Sequence, residues 1–162
     1  MMKHTLLLVG ELKDDLLRPP AMEYLKRLQP YAKVQVQSVP EVKIPSQASP
    51  RDEQRLKEES GQRLMDAAES LGRSFWIALD ERGKQLSSRQ LAAFIDERAL
   101  QGDSHLLWIV GGALGLSQAF LHRCHFRLSL SKMTFLHEMV PMLILEQIYR
   151  SHRILRNEPY HR

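Results

Sequence analysis

The sequence predicts an α/β fold, a mostly parallel sheet flanked by helices, and three observations carry that prediction. Short apolar runs recur and close on glycine or a polar turn: "TLLLVG" (5–10), "SFWIALD" (74–80) and "HLLWIVGG" (105–112). Segments with helical spacing stand between them, so strands and helices alternate along the chain. The last helical segment is apolar around most of its surface, as a helix covered on more than one side would be.

Each element has a local reason. Thr5–Gly10 is a buried strand. In "AMEYLKRLQ", Met22, Tyr24, Leu25 and Leu28 share a helical stripe that Pro30 ends. "KVQVQSV" alternates at Val34, Val36 and Val39, the pattern of a half-buried strand. Prolines at 40, 45 and 50 mark the next stretch as a loop. A helix follows from about Arg51 to Leu71, with Leu56, Leu64, Ala67 and Ala68 on its inner face. The strand at 74–80 leads to a turn at Gly83 and a helix capped at Ser87 or Ser88. After the strand at 105–110 come a short helix over "SQAFLHRC", a last strand at 125–129 and a long helix from about Glu138 to Arg156. "MVPMLILEQIY" at the head of that helix is apolar nearly all round, which predicts burial on two sides, in a sandwich of layers or, the better reading for a chain this small, in a homodimer.

With 162 residues the chain forms one domain. Charged residues make up 26 % and hydrophobic residues 43 %, a globular composition. The N-terminal apolar run is too short for a signal peptide, and no stretch is long enough to span a membrane. The one cysteine, Cys124, supplies neither an internal disulfide nor a metal cluster, so the expected setting is cytoplasmic, with no metal. Net charge is +4. From Ser117 onward seven Lys and Arg residues face three acids, and five of the seven histidines lie there too. That cationic third suits a polyanionic partner.

Ligands of parallel sheets bind beyond the C-terminal strand ends. Here those ends are "LDERG", "VGGALG" and "SLSKMTFLH". "GGALG" allows close backbone approach, but it is neither a dinucleotide fingerprint nor a P-loop. "GLSQA" lacks the final glycine of a nucleophile elbow. "HEMVP" has Pro141 where a zinc peptidase needs its second histidine. Arg150, Arg153 and Arg156 recur every third residue and predict a ladder of phosphate contacts, with a cation-rich last turn satisfying the helix dipole as the alternative. The chain's last residues, "NEPYHR", place a phenol, an imidazole and a guanidinium together at Tyr160, His161 and Arg162.

"VGGALGLS", "SLSKMTFLHEMV", "EQIYRSHRILRNEPYHR" and the strand ending "ALDERG" resemble the RlmH family, over essentially the whole chain. Members of that family methylate N3 of a pseudouridine in helix 69 of 23S rRNA on the assembled ribosome. They belong to the SPOUT class, with a C-terminal trefoil knot. The resemblance implies S-adenosylmethionine as methyl donor. Its pocket is then lined by Leu79, Asp80 and Gly112, with Ser131, Lys132, Met133, Thr134, Phe135 and Leu136 around the adenine. By the same resemblance the partners are 23S rRNA and a second copy of the chain.

Methyl transfer to an imide nitrogen needs in-line positioning and an acceptor for the imide proton, or a cation beside the imidate. His137, Tyr160, His161 and Arg162 are the candidates, with the terminal three expected at the pocket mouth. Two positions depart from the family pattern: Ala113-Leu114 stand where many members have Pro-Glu, and Leu136 where many have proline. A knotted methyltransferase of tRNA and a catalytically inactive ribosome-binding protein are the alternative readings.

Overall fold

The computed structural model describes residues 1–162, and its five strands form one wholly parallel sheet. The elements in chain order are β1 (Lys3–Val9), α1 (Arg18–Leu28), β2 (Lys33–Val39), α2 (Pro50–Ser70), β3 (Phe75–Gln85), α3 (Ser88–Leu100), β4 (His105–Val110), α4 (Gln118–Arg123), β5 (Phe126–Ser129) and α5 (Val140–Leu155). Strand order is β2-β1-β4-β3-β5, which leaves β2 and β5 at the edges.

Side-chain alternation sorts the core into two layers. Leu106, Trp108 and Val110 of β4 point to the face covered by α1, α3 and α5, where Leu28, Ile95, Ile144 and Ile148 are buried. Leu107 and Ile109 point to the other face, under α2 and α4, with Leu64, Ala68 and Phe120. Covered on both faces, β4 reads as a continuous apolar run, as a central parallel strand should.

The helix starts follow their caps. Ser49 and Ser87 each form a capping box, with Asp52 and Gln90, and Ser117 Oγ accepts the Phe120 amide at 3.2 Å. Two readings need correction. Met22 is 47 % exposed, because α1 buries Ala21 and Leu28 instead, and Met22 lies off that face. Gly83 is no turn: β3 runs on to Gln85, with a register shift between Leu79 and Lys84 opposite β5. A Cβ at Gly83 would lie 2.6 Å from the Arg127 carbonyl oxygen. The glycine is there for close backbone approach at a bulge.

Past β5 the chain stays against this β3 extension. Ser129 Oγ lies between the carbonyls of Glu81 (3.0 Å) and Ser131 (2.8 Å) and shares its one proton between them, and Thr134 Oγ1 donates to the Glu81 carboxylate. The 131–139 loop is thereby drawn over the C-terminal end of the sheet.

Candidate functional site

A cleft of about 620 Å3 opens at the C-terminal ends of β3, β4 and β5. Leu79 and Asp80 supply one side, the Gly111–Gly115 turn the floor, and Met133, Thr134, Phe135, Leu136 and His137 the facing wall. The floor depends on missing side chains, since a Cβ at Gly111 would sit 2.8 Å from the Gly115 carbonyl carbon. Phe135 and Leu136 are 38 % and 55 % exposed, apolar surface turned toward the opening. Of the residues expected around a donor's adenine, Ser131 and Lys132 stay outside the lining. Ser131 Oγ instead accepts the Met133 amide at 3.0 Å and shapes the loop. Leu130, Val140 and Lys57 line the cleft without having been named as site residues from the sequence.

The C-terminal residues assemble elsewhere. Helix α5 ends in a Schellman turn: Asn157 adopts φ 54°, its amide bonds to Ile154 O at 3.0 Å, and the Glu158 amide bonds to Arg153 O at 2.9 Å. The left-handed residue sends Glu158–Arg162 back along the helix. Arg153 then holds that strap, donating to Glu158 Oε2 (2.6 Å), Tyr31 Oη (2.8 Å) and Pro159 O (2.7 Å). Tyr31 also donates to the Glu158 carboxylate.

Glu146 is the hub of the second half of the strap. Its Oε1 accepts from Arg150 Nε (3.0 Å) and Nη2 (2.5 Å) and from the Tyr160 hydroxyl (3.0 Å). Since the one hydroxyl proton of Tyr160 goes to that carboxylate, Tyr24 donates to Tyr160 Oη, 2.9 Å away. Burial, with these bonds to Tyr24 and Glu146, pushes the Tyr160 phenol well above its ordinary pKa, so it stays protonated at neutral pH. The Arg150 guanidinium lies 4.7 Å over the Tyr160 ring and reaches His161 Nδ1 at 3.1 Å. Arginine can only donate, so His161 accepts at Nδ1 and carries its proton on Nε2.

The expected arginine ladder therefore divides. Arg150 and Arg153 spend their guanidinium groups inside the chain, whereas Arg156 is exposed, 4.5 Å over the Tyr31 ring. Arg162 is exposed as well. His137 alone of the four expected catalytic residues lines the cleft of its own chain. Val140 borders the cleft, and Arg150 lies about 15 Å farther along α5. Glu146, Tyr24 and Tyr31 escaped the sequence reading. The four-residue spacing of Glu146 and Arg150 was a usable signal for an ion pair; the two tyrosines meet the strap only through tertiary packing.

A parallel sheet with a glycine-floored cleft at its strand ends defines an α/β protein with its ligand site at those ends. The family described as "Predicted SPOUT methyltransferase" matches residues 2–161, and the chain belongs to it. More particularly, the chain is 48 % identical to ribosomal RNA large subunit methyltransferase H of Symbiobacterium thermophilum, over 99 % of this chain and 100 % of that protein. It is 43 % identical to the protein of the same name from Carboxydothermus hydrogenoformans, with 99 % and 100 % covered. A probable methyltransferase from Bordetella pertussis shares the fold at TM-score 0.57 and 13 % identity, covering 93 % of this chain and 95 % of that one. A probable methylase family protein from Haemophilus influenzae does so at 0.56 and 13 %, covering 99 % and 70 %.

Proposed function

We propose that this protein is a cytoplasmic, homodimeric, S-adenosylmethionine-dependent methyltransferase that modifies N3 of a pseudouridine in helix 69 of 23S rRNA on the assembled ribosome. The observation that carries the reading is the glycine-floored cleft at the strand ends, in a chain matched along its whole length by relatives named for large-subunit rRNA methylation.

The cleft fits the donor. Its volume of about 620 Å3 is that of a cofactor site, and apolar walls with backbone edges suit an uncharged adenine. Leu79, Met133, Phe135 and Leu136 would frame the base, and the Gly111–Gly115 backbone would lie against the rest of the molecule. When bound, S-adenosylmethionine supplies a methyl group activated on a sulfonium. The protein then has to hold the acceptor nitrogen in line and provide for its imide proton.

The strap limits who can take that proton. Tyr160, its pKa raised, is no base at neutral pH. His161 has its Nδ1 lone pair engaged by Arg150, which leaves Nε2–H as a donor. In this reading His161 and Arg162 stabilise the imidate oxygen that develops as the proton leaves, and His137 at the cleft accepts the proton. Tyr160 acts as a positioning group that locks the strap to Glu146.

Because the strap stands apart from its own chain's cleft, a homodimer that brings one protomer's Tyr160–Arg162 to its partner's cleft completes the site. The half-buried Met142 and Leu143 of α5 support that association. Threading of the segment after β5 is expected of this class, and that segment is held to the β3 extension by its bonds to Glu81. Exposed Arg156, Arg162 and Lys132 remain for phosphate contact.

The test is methylation of purified large ribosomal subunits and 70S ribosomes with labelled donor, followed by mass spectrometry of the rRNA fragments. Label in a helix 69 pseudouridine is the expected outcome. Label confined to tRNA, or none in any RNA, refutes the reading.

A further inference from the structure

A second, smaller cavity of about 170 Å3 adjoins the cleft, across the glycine turn. It lies over the C-terminal end of β1, beneath the loop that follows β2. Val9, Ile44 and Leu114 make its apolar walls, Ser60 of α2 closes one side, and Glu41 and Glu138 stand as carboxylates around it. His137 and the stretch Gly112–Gly115 line both cavities, so the two meet at that histidine. A side chain at Gly112 would crowd the junction, since a Cβ there falls 3.1 Å from Val9 Cγ1.

Ser60 is the informative residue. It is 6 % exposed, and its hydroxyl makes no hydrogen bond within the chain. That hydroxyl opens onto the cavity, where an occupant can bond to it as donor or acceptor. Most buried serines in this protein are satisfied: Ser117 caps α4, Ser129 bonds to Glu81 O and Ser151 bonds to Gln147 O. Ser60 faces space.

Size and charge select the occupant. At ~30 Å3 per water, the cavity has room for about six waters, or one six-membered ring, not for a nucleotide. Two carboxylates repel a phosphate and favour an occupant rich in N–H donors. A pyrimidine carrying protons on both ring nitrogens offers one donor to a carboxylate while the other faces His137. Its carbonyl accepts from Ser60.

We infer that this cavity receives the acceptor ring, a flipped-out pyrimidine of the RNA substrate, and that Ser60, Glu41 and Glu138 determine its specificity. The inference rests on the proposed methyl transfer to rRNA. Extrusion of the target base from its stack is what enzymes that act on bases require. The larger cleft holds the donor, the smaller one the acceptor, and His137 stands where the transferred group passes.

The test uses the full chain with Ser60→Val, which removes the hydroxyl and narrows the cavity, and Ser60→Ala, which only removes the hydroxyl. Donor affinity is measured by calorimetry, and kcat and KM with large ribosomal subunits. Expected is a loss of about tenfold or more in kcat/KM for Ser60→Val and a smaller loss for Ser60→Ala, with donor affinity unchanged in both. Full activity of Ser60→Val overturns the inference. So does a matching fall in donor affinity, because the cavity then belongs to the donor. If the wild-type protein labels no rRNA, the proposed function fails by itself. Titration of the wild type with uracil, followed by NMR, then decides the cavity: shifts at Val42 and Ile44 that vanish in Ser60→Val support it, and shifts elsewhere overturn it.

Discussion

Arg150 Nη1 lies 3.1 Å from His161 Nδ1, while the same guanidinium grips Glu146 through Nε at 3.0 Å and Nη2 at 2.5 Å. One arginine thus fixes the tautomer of a C-terminal imidazole and anchors it to the middle of α5. A lysine would keep the charge but not the fork. Arg150→Lys is expected to lower kcat about tenfold or more, with donor affinity within about twofold of wild type. Steady-state kinetics with calorimetry check this; an unchanged kcat would show that the imidazole needs no such anchor.

The strap is held a second time by Arg153, whose Nη1 meets Glu158 Oε2 at 2.6 Å. Glu158→Gln weakens that ion pair and the bond from Tyr31. The expected result is faster amide hydrogen exchange over 157–162 and reduced kcat, with a melting temperature close to wild type, because the pair is partly exposed. Exchange mass spectrometry provides the measurement, and unaltered exchange in the strap would contradict the clamp.

The cleft floor is a matter of backbone proximity. Gly111→Ala brings a Cβ to 2.8 Å from the Gly115 carbonyl carbon, so the turn has to move. Donor affinity is expected to fall about tenfold or more while the sheet stays folded, since the turn lies beyond β4. Calorimetry reads the affinity and circular dichroism the fold. Wild-type affinity in Gly111→Ala would place the donor elsewhere.

A pair of histidines makes stability depend on pH. Trp108 Nε1 donates to His4 Nδ1 at 3.1 Å, so His4 carries its proton on Nε2 and donates to His152 Nε2, 3.0 Å away. Burial first, then the nearby charges of His152 and His105, pushes His4 down to about 3. Burial and Arg156 push His152 down to about 4. In the unfolded chain both rings take up protons near pH 6.5, the ordinary histidine value. Below that pH the unfolded state binds more protons than the folded one, so stability is full above pH 6.5 and falls on acidification. The slope is about 1.4 kcal/mol per pH unit for each ring in that window. Urea denaturation at pH 7.5 and pH 5 should show the loss; equal stabilities would contradict the neutral pair.

Fold and site differ in how far they were legible. The strands at 5–10 and 105–110 announce themselves because a parallel strand buried on both faces must be apolar throughout. The cap at Ser87 was legible because its partner, the Gln90 amide, lies three residues on. Gly83 misled because a glycine serves turns and close strand contacts alike, and only its nearness to Arg127 O tells them apart. The arginines at 150, 153 and 156 carried the right spacing for one helix face. Their partners Tyr31, Glu158 and His161 are brought in by the turn at Asn157 and by packing of α1 on α5, which helical periodicity does not encode. Likewise Glu41, Ser60 and Glu138 come from three separate segments, and no spacing links them.

The segment "NEPYHR" departs furthest from its expected place. The expected pocket-mouth position of Tyr160–Arg162 is not found in the chain's own cleft. The segment is a strap, bent back at Asn157, pinned at Glu158 and Tyr160, and offering His161 Nε2–H and Arg162 outward.

The central claim is that this strap, with a donor bound in a separate cleft, carries out methyl transfer to large-subunit rRNA. Its most direct test is labelled methyl transfer to large ribosomal subunits and 70S ribosomes by the full chain and by a chain lacking Tyr160–Arg162, with donor affinity measured for both. The account predicts label in rRNA with the full chain, none with the shortened chain, and equal donor affinities. Equal labelling by the two chains, or no labelling by either, would contradict it.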